Sequence, residues 1–157
     1  MKRILILAAS GAIALGSLTA CSAEGAGTDF CDVAANFDGD SIALTDLSDA
    51  DMEAALAGDM SGINAWGDTA AGQLDDVIDE LKRAKGGAPS PETVKALDDV
   101  IAGVVVIKGL ATSAAEADDF MSFANDMQAM AEDIDSLDAT MTSAAQILDD
   151  ATIKYCN

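Results

Sequence analysis

The sequence predicts an all-α protein: an antiparallel bundle of three long helices plus a short N-terminal helix, closed by one disulfide. Three observations carry that expectation. Apolar residues recur at helical spacing through most of the chain beyond residue 48. Both prolines fall in one short break, Ala88-Pro89-Ser90-Pro91-Glu92, between two such stretches. Two cysteines, Cys31 and Cys156, stand at the two ends of the helical part. At 157 residues the chain has the length of one ordinary domain.

In chain order, Thr28 to Asn36 is a short helix candidate, with Phe30, Val33 or Ala34, and Phe37 on one side. Phe37-Asp38-Gly39-Asp40-Ser41 is a turn by composition, and Ile42 to Leu47 is ambiguous. Ser48 or Asp49 is an N-cap for the next helical segment. From about Asp49 to Lys85 the apolar stripe is Met52, Leu56, Met60, Ile63, Ala70, Leu74, Val77 and Leu81. Gly58, Gly62, Gly67 and Gly72 weaken that helix by roughly 1 kcal/mol each relative to Ala. They mark either a break or a close approach of another backbone. Lys82, Arg83 and Lys85 place positive charge on the last turn, and Gly86-Gly87 ends it.

Ser90-Pro91-Glu92 opens the next helix as N-cap, N1 proline and first-turn acid. Val94, Leu97, Ile101 and Val104 continue it, with Val100, Val105 and Ile107 widening the face. The run Val104 to Ile107 has strand propensity, but the cap and the length favour a buried helix. It is too short to span a membrane. Phe120, Phe123, Met127, Met130, Ile134, Leu137, Met141, Ala144, Leu148, Ala151 and Tyr155 then alternate spacings of 3 and 4. That strict heptad pattern predicts a helix roughly 50 Å long. A break near Ser136–Thr140 is compatible with it. The same heptads would suit an intermolecular coiled coil. The short connection from Gly86 to Pro91 favours antiparallel neighbours within one chain, and a monomer.

The opening residues are an address. Lys2-Arg3 is a positive n-region, Ile4 to Leu15 an uncharged apolar run, and Leu18-Thr19-Ala20-Cys21 closes the segment. The tetrapeptide resembles the lipobox of bacterial lipoproteins, Leu-x-(Ala/Gly)-Cys. The resemblance implies cleavage before Cys21 and a diacylglycerol on its thiol, with acyl chains of the palmitate kind. It divides the chain into a signal peptide (1–20), a lipidated flexible tether (21–28) and a helical domain (29–157). The lipobox, the Ala/Asp-rich helices, the Pro-containing break and the Tyr155-Cys156 terminus together are similar to the small secreted helical lipoproteins of high-GC Gram-positive bacteria. That likeness implies a location, the outer face of the cell membrane, more than an activity.

With Cys21 taken by lipid, Cys31 and Cys156 are the remaining thiols, in a compartment that permits disulfides. No Cys-x-x-Cys or third ligand suggests a redox or metal role instead.

Composition narrows the chemistry. Eight Lys and Arg against 28 Asp and Glu give a net charge of −20, which argues against a nucleic-acid binder. The chain has no His, so no His base or His metal ligand exists. Asn36, Asp38 and Asp40 begin like a calcium loop, but Ser41 stands where Gly belongs and Leu47 where Glu belongs. Acid pairs recur at Asp75-Asp76, Asp79-Glu80, Asp98-Asp99, Asp118-Asp119, Glu132-Asp133 and Asp149-Asp150. Immediate neighbours on a helix diverge by about 100 degrees, so such pairs are not preformed bidentate sites. There is no phosphate loop, dinucleotide fingerprint or Gly-x-Ser-x-Gly. No catalytic residues, cofactor or metal are therefore expected. Met52, Met60, Met121, Met127, Met130 and Met141 form a soft set able to line a pocket, although three of them occupy heptad core positions. Trp66 is either a contact residue or a lid on the core.

The resulting expectation is a non-enzymatic, membrane-anchored module that meets an envelope or extracellular protein. The alternative is a carrier of a small apolar ligand or metal ion, whose sign would be a sizeable cavity between helices. Cleavage at Cys21 would remove Lys2 and Arg3 and no acid, leaving six cations against 28 acids, or −22. Such a body is repelled by anionic headgroups.

Overall fold

A computed structural model describes residues 28–36 and 47–156. The expected signal segment, the lipobox-like residues Leu18, Thr19, Ala20 and Cys21, the expected tether up to residue 27 and the expected turn at Phe37–Ser41 lie outside the described residues. Within them the chain forms five helices: α1 (Thr28–Asn36), α2 (Asp49–Leu56), α3 (Ser61–Gly86), α4 (Pro91–Glu116) and α5 (Phe120–Tyr155). The fold is all-α, with α3, α4 and α5 as the three long helices of an antiparallel bundle.

The caps act where their residue types demand. Ser48 accepts from the Asp51 amide at α2, Ser90 from the Thr93 amide at α4, and Asp119 from the Ser122 amide at α5. Pro91 takes the first helical position, where its missing N–H costs nothing. Val104 to Ile107 is helical, as the Ser90 cap and the length of its segment require.

The long stripe from Met52 to Leu81 is divided between two helices. Gly58 adopts φ +99, which L side chains rarely take, and so ends α2 and turns the chain into α3. This adds a second short helix to the expected four. It also removes Leu56 from the core: at 68% exposure it points to solvent. Gly67 serves the other purpose expected of these glycines. A β-carbon there would meet the Ala111 and Ala115 backbone, so its absence lets α3 and α4 come close.

α4 is the central helix, packed along both α3 and α5. Two clusters fill the interior. The larger unites Phe30 and Val33 of α1 with Leu74, Ile78 and Leu81 of α3, Leu97 and Val104 of α4, and Ala144, Ala151 and Cys156 at the end of the chain. The smaller, at the opposite end, joins Ala55, Met60, Ile63, Ala114, Ala117 and Phe123.

α5 runs unbroken through residues 136–140, and its 36 residues span about 54 Å. Its heptad positions are less buried than the strict pattern implies. Phe123, Ala144 and Ala151 are buried, whereas Met127, Met130, Leu137 and Met141 are half-exposed. The reason is cover: the middle of α5 rests on α4, while further elements close over it only near the ends. At one such end Cys31 and Cys156 form the expected disulfide, with Cα atoms 5.4 Å apart, tying α1 to the C-terminus.

Candidate functional site

The sequence-derived candidates separate clearly. Cys31 and Cys156 are brought together. Asn36 ends α1, and the other members of the calcium-like pattern, Asp38 and Asp40, lie outside the described residues. Of the acid pairs, Asp75-Asp76, Asp79-Glu80 and Asp118-Asp119 are exposed, and Asp99 and Asp149 are half-buried beside exposed neighbours. Among the described residues no group of three or more His, Cys, Asp or Glu is placed to hold a metal ion.

The methionines are dispersed rather than gathered round a chamber. Met141 lies over Gly103 and Met130 over Gly109, each thioether filling the space that glycine leaves on α4. Met60 is buried in the smaller cluster, while Met121 is 68% exposed. Trp66 is half-buried and packs against both clusters, so it closes the core where they meet. Beside it is an open depression of ≈ 310 Å³ lined by Leu47, Asp51, Gly62, Ala65, Trp66, Thr69, Ala70 and Gln73. A second lies over Asp76, Asp79, Glu80 and Arg83. Both are outer hollows, not spaces between α3, α4 and α5.

The feature with most chemical character is the end of the bundle remote from the disulfide. There α2, the start of α3, the end of α4 and the start of α5 surround the smaller cluster. Asn64 pins this corner: its Nδ2 donates to the carbonyls of Ala115 at 2.7 Å and Ala117 at 3.2 Å. These are orphan carbonyls at the α4 terminus, which has no basic residue in its last turn. The Asn64 Oδ1 is buried without a hydrogen-bond partner. Asp59, between α2 and α3, accepts from the Ser61 amide at 3.1 Å. Its carboxyl is held below the usual range, first by the Ser61 side chain and then by that amide.

The same end carries Asp49, Asp51, Glu53, Asp59, Glu116, Asp118, Asp119 and Asp126. Among the described residues it carries no cation. Residues 47–81 and 109–153 contain no Lys or Arg, and the fold brings the ends of these two stretches together. The cations of the domain lie elsewhere and are occupied. Lys82 pairs with Asp79, Arg83 with Glu80, Lys85 with Asp98 and Lys95 with Asp99, all toward the disulfide end. Lys108, about two-thirds of the way along α4, pairs with Asp75 near the middle of α3. Lys154 lies 4.6 Å from the Tyr155 ring centroid. Its amine is held above the usual lysine value, first by the Tyr155 hydroxyl and its charge and then by Glu92 at the start of α4.

Leu56 and Met121, equally exposed, project from this acidic end. Helical spacing places Leu56 in the core, and nothing in the pattern sets Met121 apart. Asn64 also escapes sequence reasoning; its signal is a lone amide between Ile63 and Gly67, both buried on the α3 face. No protein-family model matches the chain, and no curated protein or solved structure matches it either.

Proposed function

We propose that the chain is a membrane-anchored extracytoplasmic lipoprotein, a non-enzymatic interaction or structural module of the cell envelope. The observation that carries this reading is the division of labour among three cysteines. Cys31 and Cys156 are joined, and Cys21 stands in the lipobox-like Leu18-Thr19-Ala20-Cys21 behind a charged and then apolar leader. A structural disulfide suits an oxidising compartment outside the cytoplasm. Two acyl chains on Cys21 would hold the domain stably, since each buried methylene contributes about 0.8 kcal/mol. The interaction role is supported by helical surfaces rich in exposed carboxylates.

The disulfide ties α1 to the end of α5, so the tether leaves the domain near that end. The cation-free end then faces away from the bilayer. Anionic headgroups reinforce that posture by repelling the more acidic part of the body.

Mass spectrometry of the processed protein tests the anchor. The expected product begins at Cys21, carries diacylglycerol there, and has no free thiol. Cys21→Ala should move the protein from the detergent phase to the aqueous phase. An unmodified Cys21, or membrane retention of that variant, would overturn the reading. The carrier alternative draws no support from the hollows beside Trp66 and Asp76, which lie outside the three-helix interior.

A further inference from the structure

We propose that the hollow beside Trp66 is a recognition site for a primary ammonium group on an aliphatic stem, whether a lysine side chain or a free alkylamine. The site gives the interaction role a ligand chemistry, and it stands whether or not Cys21 carries lipid.

The hollow is built on one stripe of α3. Gly62, Trp66, Thr69 and Gln73 follow one another at spacings of 4, 3 and 4, and all four line it. Asp51 of α2 stands at the Gly62 end. A β-carbon on Gly62 would collide with the Asp51 carboxylate, so the glycine makes the room that the carboxylate occupies. Asp51 is thereby held half-buried in the lining rather than free in solvent. Leu47 and Ala70 add apolar wall. At ≈ 310 Å³ the space is small for a ligand site, about ten waters' share of liquid, and suits one side chain or a fragment of that size.

The polar atoms decide what the hollow takes. Asp51 offers only acceptors: one oxygen takes the Ser48 hydroxyl, and the other lies over Gly62. The Thr69 hydroxyl gives its proton to the Ala65 carbonyl at 2.9 Å, which leaves its lone pairs for a ligand. The Gln73 amide can present its oxygen. An acceptor set with one full negative charge selects a cation with several hydrogens to donate, and an ammonium has three. Trp66 and Leu47 give an aliphatic stem an apolar wall, and an indole attracts a nearby cation. The chain supplies no such cation itself. Residues 47–81 hold no Lys or Arg, and the cations among the described residues are engaged with other partners. An anionic ligand would be repelled by Asp51, and a neutral one would leave its charge unpaired.

Trp66 is the only tryptophan, so its fluorescence reports from within the site. The full chain in a non-ionic detergent is titrated with pentylamine at neutral pH, with 1-pentanol as the uncharged control. Pentylamine should give a saturable change, and the alcohol none at the same concentrations. Asp51→Asn should weaken binding about tenfold, the scale of one charge-assisted contact. Asp76→Asn removes the same charge from the second hollow and should leave binding unchanged. Asp51 also takes part in the α2 cap, so Thr69→Val serves as a variant away from that cap. It should weaken binding about threefold with helix content unchanged by circular dichroism. A blocked lysine tripeptide that binds more tightly than pentylamine assigns a protein-borne lysine, and the reverse order a free amine. An equal response to the alcohol, equal effects of Asp51→Asn and Asp76→Asn, or parental affinity in both Asp51→Asn and Thr69→Val would overturn the proposal. Absence of lipid on Cys21 moves none of these readouts, so the anchor stands or falls separately.

Discussion

Gly67 of α3 lies against the Ala115 backbone of α4: a β-carbon at Gly67 would fall under 3.0 Å from it. Backbone cannot rotate aside as a side chain can. Gly67→Ala should therefore force the helices apart and destabilise the domain by about 1–3 kcal/mol, in the manner of other overpacked sites. Gly72, also in α3, has open space around the same position. Gly72→Ala should stabilise by about 0.5–1 kcal/mol through helix propensity. Urea denaturation of both variants checks the pair; similar changes would contradict the close-approach account.

Asn64 closes the same corner through two carbonyls of the α4 terminus. Asn64→Ala strands those acceptors and should cost about 1–3 kcal/mol. Asn64→Asp should be worse, because a carboxylate would face the carbonyls and the negative end of the α4 dipole. Thermal melts at neutral pH measure both, and an Asp variant as stable as the parent would contradict this role.

Reducing Cys31–Cys156 frees two points 125 residues apart. On the chain-entropy model the loss is about 4–5 kcal/mol. Cys31→Ser with Cys156→Ser should lower Tm and raise amide exchange first in α1 and the last turns of α5. Uniform exchange throughout the chain would show that the bond does not act as a local clasp.

The acidic end makes stability depend on ions. Screening its uncompensated carboxylates should stabilise the domain by on the order of 1 kcal/mol between low and physiological salt, about 3–6 °C in Tm. Neutral osmolyte at equal osmolality separates screening from solvent exclusion, and an equal rise with both would defeat the electrostatic account.

Asp59 gives a pH dependence of known sign. Ser61 lowers its carboxyl in the folded state, so the contribution is fully present above the ordinary carboxylate value. It is lost as pH falls through the lowered one. Asp59→Asn should flatten the acid side of a stability profile in that window alone; an unchanged profile would rule the contact out as a contributor.

Much of the fold was legible because helix ends and faces are local properties. Ser48, Ser90 with Pro91, and Gly86-Gly87 mark boundaries that depend on a few neighbouring residues. The disulfide was legible because only Cys31 and Cys156 remain once Cys21 is set aside for its lipobox-like setting. Leu56 was misplaced because spacing alone cannot tell a continuous helix from two helices joined at a positive-φ glycine. Met130 and Leu137 were over-buried for a different reason: a heptad stripe says which face is apolar, not how many neighbours cover it.

By itself, then, the sequence determined the helices, the excess of acid and the cysteine pair, since each depends on residue identity and short-range spacing. It also showed where Lys and Arg are missing, in residues 47–81 and 109–153. Only the tertiary structure decided that the ends of these two stretches meet. Antiparallel packing of α3, α4 and α5 returns distant segments to one end of the bundle, and charges far apart along the chain become one field. The same packing carried Asn64 to the α4 terminus and left Leu56 and Met121 exposed.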